Sequence, residues 1–309
     1  MGRTDELNSS PVSVVVPTWN GAYLLRESLP LLREAAAFVD LDYEVVLVDN
    51  GSDDETPDVV ASLDLPIRTI RLNRNEGYSY ACNVGIEAAN HPRVLLLNND
   101  VLMPERALRP LLAWSLGEVF AVGAASGHRE QAFGEGQGEW PEGGYRIQLG
   151  VLTHCCLLDR AAFLELGGFD LIFSPATWEE MDLGVRVWRS GRRNVLDFRS
   201  CVFHYARTTV RRLFGDVGSE RLYHRNRLFF LWKNLPGSLL MKHLLRRLPL
   251  DCASDVVTRG GPVIMGALWG ALRRLPEAAR SRRSMAGYPC SITDIVRETS
   301  EEGDLESWL

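Results

Sequence analysis

The sequence predicts an α/β protein with a mostly parallel central sheet, helices on both faces, and a helical C-terminal region. Three observations carry this prediction. Short apolar, β-branched runs alternate with helix-period segments through the first hundred residues. Several of these runs stop abruptly in polar residues, as strands do where they leave a buried sheet. The charge balance then reverses: residues 1–204 hold 17 basic and 29 acidic side chains, whereas residues 205–250 hold ten and two.

The elements follow in order. Val12-Ser13-Val14-Val15-Val16 reads as a buried strand stopped by Pro17, and Asn20-Gly21 turns the chain. Residues 23–38 place Leu24, Leu25, Leu29, Leu32 and Ala36 at helical spacing. A second strand, 44–48, runs into Asp49-Asn50-Gly51-Ser52. Residues 53–63 form a helix with carboxylates in its first turn. Strand 67–72, helix 78–90 and strand 94–97 complete the alternation. Periodicity weakens over 121–158, where the glycines between 134 and 144 read as loop and 147–158 as strand. Helices at 160–166 and 179–190 and a strand within 195–204 follow. Beyond 216 the pattern is helical, over 217–234, 238–247 and about 254–275. These readings divide the chain into a disordered N-terminus (1–11), an α/β domain (12–210), a basic helical region (211–283) and an acidic tail (284–309).

Composition bounds the class. At 309 residues, 46% apolar and 24% charged, the chain suits one large globular domain with an appendage. Its six cysteines form no C-x-x-C pair and read as reduced thiols of a cytoplasmic protein. The first eleven residues are polar, without the apolar core of a secretory signal. No apolar run reaches the roughly 18 residues of a spanning helix.

Chemistry concentrates at strand and helix ends. Leu95-Leu96-Leu97 breaks into Asn98-Asn99-Asp100. Side chains two apart on a strand point the same way, so Asn98 and Asp100 can reach one cation or one ribose. A hard cation takes oxygen ligands, and a nucleotide diphosphate takes a cation. The alternative is an ordinary Asn/Asp turn. His204 ends a strand; it is either a structural histidine or an imidazole ligand for Mn²⁺. Glu179, Glu180 and Asp182 crowd three carboxylates at a helix start, which suits the macrodipole and equally suits a general base whose like-charged neighbour raises its pKa. Trp178 either stacks on a sugar or belongs to the core.

Seven motifs then fall in one order: Val14-Val15-Val16-Pro17-Thr18-Trp19-Asn20-Gly21; Val48-Asp49-Asn50-Gly51-Ser52; Asn75-Glu76-Gly77 with Asn83-Val84-Gly85; Asn98-Asn99-Asp100; Gly167-Gly168-Phe169-Asp170; Trp178-Glu179-Glu180-Met181-Asp182-Leu183; and Phe203-His204. Over residues 12–234 this order resembles the family-2 inverting glycosyltransferases of GT-A fold, in particular their bacterial rhamnosyltransferase-like branch. The resemblance implies transfer of a sugar from a UDP- or dTDP-linked donor to an acceptor hydroxyl, in cell-surface polysaccharide or glycolipid assembly. It implies that Asp49 reads the base, that Pro17, Thr18, Asn20, Asn75, Gly77, Asn98, Asn99, Trp178 and Glu179 contact nucleotide or substrate, and that Glu180 takes the acceptor proton. Asp100 and His204 would hold Mg²⁺ or Mn²⁺. Two positions depart from the family pattern: Asn98 stands for the first Asp of D-x-D, and Glu180 for a base that is commonly Asp.

The basic region interleaves arginines with Phe214, Tyr223, Phe229, Phe230 and Trp232. With no nucleic-acid motif and an acidic N-terminal part, nucleic acid is not expected as a partner. An amphipathic appendage peripheral to the anionic inner face of the cell membrane fits a saccharide or lipid-linked acceptor. A helical subdomain closing the acceptor side fits as well. Two rival functions remain. A nucleotidyltransferase would need a basic residue in its phosphate loop, but none precedes Arg26 after the first strand. A non-catalytic nucleotide-sugar-binding protein is kept open by Asn98 and Glu180.

Overall fold

The computed structural model describes residues 10–128, 132, 144–205, 208–259, 262–284 and 292–299. The expected disordered N-terminus lies outside these residues except for its last two positions, as do most of the glycine-rich stretch and most of the acidic tail.

The first half alternates as the periodicity predicts: β1 (Val12–Thr18), α1 (Ala22–Phe38), β2 (Tyr43–Asp49), α2 (Thr56–Ser62), β3 (Ile67–Arg71), α3 (Tyr78–Ala88) and β4 (Arg93–Leu97). Strands β1 to β4 pair in parallel. Alternation of side chains across the sheet feeds two cores. Val14, Val16, Val45, Leu47, Leu95 and Leu97 pack under α1 with Leu25, Leu29 and Leu32. Val15, Val46, Val94 and Leu96 pack on the other face with Cys82 and Ile86 of α3. Gly85 lets α3 lie on the sheet, since a Cβ there would sit 2.5 Å from Val15 Cγ1.

The sheet then becomes mixed. β5 (Val101–Leu102), α4 (Leu108–Leu112), β6 (Val119–Gly127), β7 (Tyr145–Gln148), β8 (Cys155–Asp159), α5 (Arg160–Glu165), α6 (Glu179–Arg189) and β9 (Arg193–His204) follow. The strand order is β3-β2-β1-β4-β8-β6-β9-β5, with β7 also on β9. β8 runs antiparallel to β4, and β5 antiparallel to the end of β9. β6 escaped the periodicity because VFAVGAASG is mostly small residues buried on both sides. The expected strand over 147–158 is two strands, β7 and β8, separated by residues 149–154.

The C-terminal region is helical: α7 (Thr208–Asn234), broken at Gly215; α8 (Gly237–Lys242), running through a π-helical turn at His243–Arg247 into α9 (Leu248–Arg259); then α10 (Val263–Arg273), α11 (Leu275–Ser284) and α12 (Ile292–Thr299). The single helix expected over 254–275 is therefore two. The expected domain division at residue 210 falls inside α7. A third core joins Phe229, Phe230 and Trp232 of α7 to Phe173, Trp178 and Val185, and Ile292, Ile295 and Val296 of α12 complete it. Among the described residues no helix is long and apolar enough to cross a membrane, and five cysteines are free.

Candidate functional site

A cleft of about 380 Å³ opens beyond the carboxyl ends of β1 and β4, where open α/β sheets bind ligands. Strand ends, the start of α3, the 175–180 turn and the start of α7 form its walls.

On the sheet side the lining includes Pro17, Thr18, Asn75, Gly77, Asn98, Asn99 and Asp100. Much of this wall is cross-linked amide chemistry. Asn99 donates to Thr18 Oγ1 at 2.8 Å, joining the β1 and β4 ends. Asn50 donates to Asn75 Oδ1 (3.1 Å) and Gly77 O (3.2 Å) and accepts from Glu76 N. Gly77, at φ +93°, brings the chain against Pro175, where a Cβ would lie 2.9 Å from Pro175 Cα. The close approach of Gly77 is thus to the opposite wall of the cleft.

Asp100 and His204, 104 positions apart, meet because β5 pairs with the end of β9. Asp100 Oδ1 lies 3.2 Å from His204 Nε2. Two cis ligands of an octahedral cation with bonds of about 2.1 Å are about 3 Å apart, so this oxygen–nitrogen pair fits a divalent cation. Among the described residues no cluster of three or more His, Cys, Asp or Glu could hold a metal, so further ligands would come from substrate or water. His154 stacks on His204 at 5.2 Å, and its Nε2 lies 3.0 Å from Ala124 O. Burial holds the His154 pKa down to about 4, so this ring is neutral. Asn98 Oδ1 accepts from the Tyr78 hydroxyl at 2.8 Å, which leaves the amide less free to act as a ligand than a carboxylate would be.

Across the cleft, Glu179 and Glu180 open α6. Glu179 is buried, and its Oε2 has no hydrogen-bond partner among the described residues. Burial first, and then Glu180, pushes the Glu179 carboxyl well above its ordinary value. Burial also raises Glu180. Asp182 faces the other way. Fully buried, it accepts from Arg186 Nε (3.1 Å), Lys233 Nζ (2.9 Å) and Asn234 Nδ2 (3.3 Å), tying α6 to α7.

Three expected site residues stand apart from this lining. Asn20 binds Asp53 and the Ser52 hydroxyl, joining two loops. Trp178 is core, packed on Tyr223 and Phe230. Asp49 is buried beside the cleft, caps Ser52 N at 2.9 Å, and lines a second cavity with Arg71. Sequence reasoning missed Asn50 and Tyr78, which stand next to singled-out residues, and Thr177, Val210 and Leu213, which carried no local signal; Phe214 was noticed only as an aromatic of the basic region.

Comparison with known proteins bears on the fold and the family. Residues 13–153 match the model of the family described as Glycosyl transferase family 2. An undecaprenyl-phosphate 4-deoxy-4-formamido-L-arabinose transferase of Pseudomonas fluorescens (strain Pf0-1) is 31% identical over 125 residues, 39% of this chain and 37% of that protein. The protein of the same name from Sodalis glossinidius (strain morsitans) is 31% identical over 138 residues, covering 42% and 41%. The chain thus spans well under half the length of these relatives. Among solved structures, the mannosyltransferase PcManGT from Pyrobaculum calidifontis, in complex with GDP-Man and Mn²⁺, aligns over 98% of this chain and 92% of its own, with TM-score 0.56 and 18% identity. GalNAc-T7 with UDP, GalNAc and Mn²⁺ aligns over 94% and 61%, with TM-score 0.60 and 16% identity. Both place this sheet in the GT-A fold.

Proposed function

Because residues 13–153 match the family 2 glycosyltransferase model and the sheet has the GT-A fold, we propose a glycosyltransferase that moves a sugar from a UDP- or dTDP-linked donor to an acceptor hydroxyl, with inversion. The observation that carries the reading is one cleft with the Asp100–His204 pair and the Glu179–Glu180 carboxylates both in its lining.

The residues divide the work. Pro17, Thr18, Asn75, Gly77 and Asn99 hold the nucleoside, with Asp49 reading the base edge from beside the cleft and Asn20 keeping its loop in place. Asp100 and His204 hold Mg²⁺ or Mn²⁺, which when bound neutralises charge on the departing diphosphate. Asn98 stays engaged with Tyr78 and completes the wall. Glu180 accepts the proton of the acceptor hydroxyl as that oxygen bonds to the anomeric carbon and the bond to the diphosphate breaks. Glu179, buried and with its Oε2 unpaired among the described residues, offers its carboxyl to a sugar hydroxyl. Trp178 acts through packing beneath the turn.

The acceptor is a saccharide or a lipid-linked molecule, and the setting is cell-surface glycan assembly. The named relatives act on undecaprenyl phosphate. Val210, Leu213 and Phe214 give the cleft mouth an apolar lip suited to such an acceptor. The exposed apolar side chains Leu245, Val257 and Trp269, near Arg246, Arg247 and Arg273, suit a peripheral position on an anionic membrane surface.

Calorimetry of UDP and dTDP, with and without Mn²⁺, tests the reading. Metal-dependent binding of one nucleotide, lost in Asp100→Ala, is the expected result. Failure of both nucleotides to bind under every condition refutes it. Metal-dependent binding without turnover of any donor sugar favours a non-catalytic binder.

A further inference from the structure

The C-terminal helices reach the cleft through the loop that precedes the carboxylates. Residues 172–174, 176 and 177 turn their carbonyl oxygens toward α7 and the α10–α11 junction, while Pro175 O accepts from Tyr78 N of α3 at 2.7 Å. Asn226 Nδ2 donates to Phe173 O (2.5 Å), Ala176 O (2.9 Å) and Thr177 O (3.0 Å). Arg225 Nη2 donates to Ser174 O (2.5 Å), and Arg274 Nη1 to Ile172 O (3.0 Å). Converging carbonyl dipoles repel, so a loop of this shape cannot hold itself; it needs donors from outside. Asn226 is fully buried, and its Oδ1 accepts from Arg225 Nε and Nη2 at 3.0 and 2.9 Å. The guanidinium has no acceptor and the loop carbonyls have no donor, so the amide has one workable orientation.

Immediately after these contacts the backbone takes a costly path. Thr177 and Trp178 have φ +79° and +72°. Such residues persist only where their surroundings over-determine them. This bend delivers the chain into α6, whose first two residues are Glu179 and Glu180.

We infer that Asn226, locked by Arg225, is a positioning residue that sets the 173–177 loop so that Glu180 meets the acceptor hydroxyl. The helical region is thereby part of the catalytic apparatus. This rests on the transferase reading above. The loop touches the start of α3 where Tyr78 N donates to Pro175 O (2.7 Å), but the other nucleoside contacts proposed above come from the strand ends, so positioning by Asn226 should act far more on turnover than on nucleotide affinity.

Asn226→Asp keeps the size and the pairing with Arg225 and removes both N–H donors. It should lower kcat about 100-fold, the scale of a small misplacement at a reacting centre. The donor KM and the Kd of UDP or dTDP should stay within about threefold, since those contacts are untouched. Amide exchange over residues 173–182 should quicken. Arg225→Lys, which keeps the charge but not the fork, should lower kcat about tenfold, and it carries the test should Asn226→Asp not fold. Arg227→Ala, which loses a partner on Asp251, controls for general weakening of the helices and should leave kcat unchanged. Wild-type kcat in Asn226→Asp overturns the inference. So does a loss of kcat matched by an equal loss of nucleotide binding, the mark of a merely structural residue. If the wild-type protein turns over no donor, the transferase reading fails, and exchange over 173–182 alone decides whether Asn226 holds the loop.

Discussion

Glu179 and Glu180 are neighbours in sequence but unequal in surroundings. Glu179 lies buried with one oxygen unpartnered among the described residues, while Glu180 is partly open to the cleft. Both carboxyls are raised, so between the ordinary carboxylate value and the raised one the folded protein holds more protons than the unfolded chain. Stability therefore falls as pH rises through that window. Glu179→Gln should raise Tm at pH 7, and thermal scans should show the gain disappearing near about pH 4, where the carboxyl is protonated in both states. For Glu180 the same shift bears on rate. A base must be ionised, so kcat/KM should climb with pH and level off above the ordinary carboxylate range. Glu180→Gln should lower kcat by about 10²–10⁴-fold, with nucleotide affinity retained in calorimetry. The two carboxylates, Asp100 and His204 were legible as a helix start and two strand ends. Asn50, Tyr78 and Thr177 were not: an amide, a phenol and a hydroxyl are too common to point anywhere until folding turns them toward one space.

At the scale of elements, contacts far apart in sequence fix how helices meet the sheet. Gly85 lies against Val15 and Val48, and a Cβ there meets Val15 Cγ1 at 2.5 Å. Gly85→Ala should destabilise by about 1–3 kcal/mol in urea titration, as overpacking does, with nucleotide binding little changed. The junction of α6 with α7 rests on Asp182, which faces Arg186 and Lys233 in the interior. Asp182→Asn should cost about 3–5 kcal/mol, because it leaves the buried Arg186 without its counter-charge, while Lys233 keeps only Asp170. The parallel half of the sheet was legible because its strands are unbroken apolar runs between helices of clear period. The mixed half was legible only in part. β6 is mostly small residues, β5 has two residues, and each depends on β9 for its place.

For the whole molecule, the helical region has two faces. One shares a core with the 173–178 loop and α6. The other exposes Leu245, Val257 and Trp269, with Arg273 over the Trp269 ring. The two sequence-based readings of this region, a membrane face and a subdomain closing the cleft, are compatible in one structure. Flotation should show binding to vesicles containing phosphatidylglycerol, weakened by salt and absent with phosphatidylcholine alone. Replacing Leu245 and Trp269 by Ser should weaken it without altering nucleotide affinity. Equal binding to both vesicle types would count against an electrostatic membrane face.

By itself the sequence determined the strand–helix alternation, the polar breaks at strand ends, the carboxylate cluster and the basic region. Each of these is a local pattern, written in residue type and spacing within a few turns of chain. Only the tertiary structure decided that Asp100 meets His204, that Trp178 is core, that Asp49 and Asn20 stand beside the cleft, and that Asn226 holds the carbonyls of a loop some fifty residues before it. Those contacts join positions tens to hundreds of residues apart, and pairing, burial and the need to satisfy buried polar groups select them only once the chain has closed on itself.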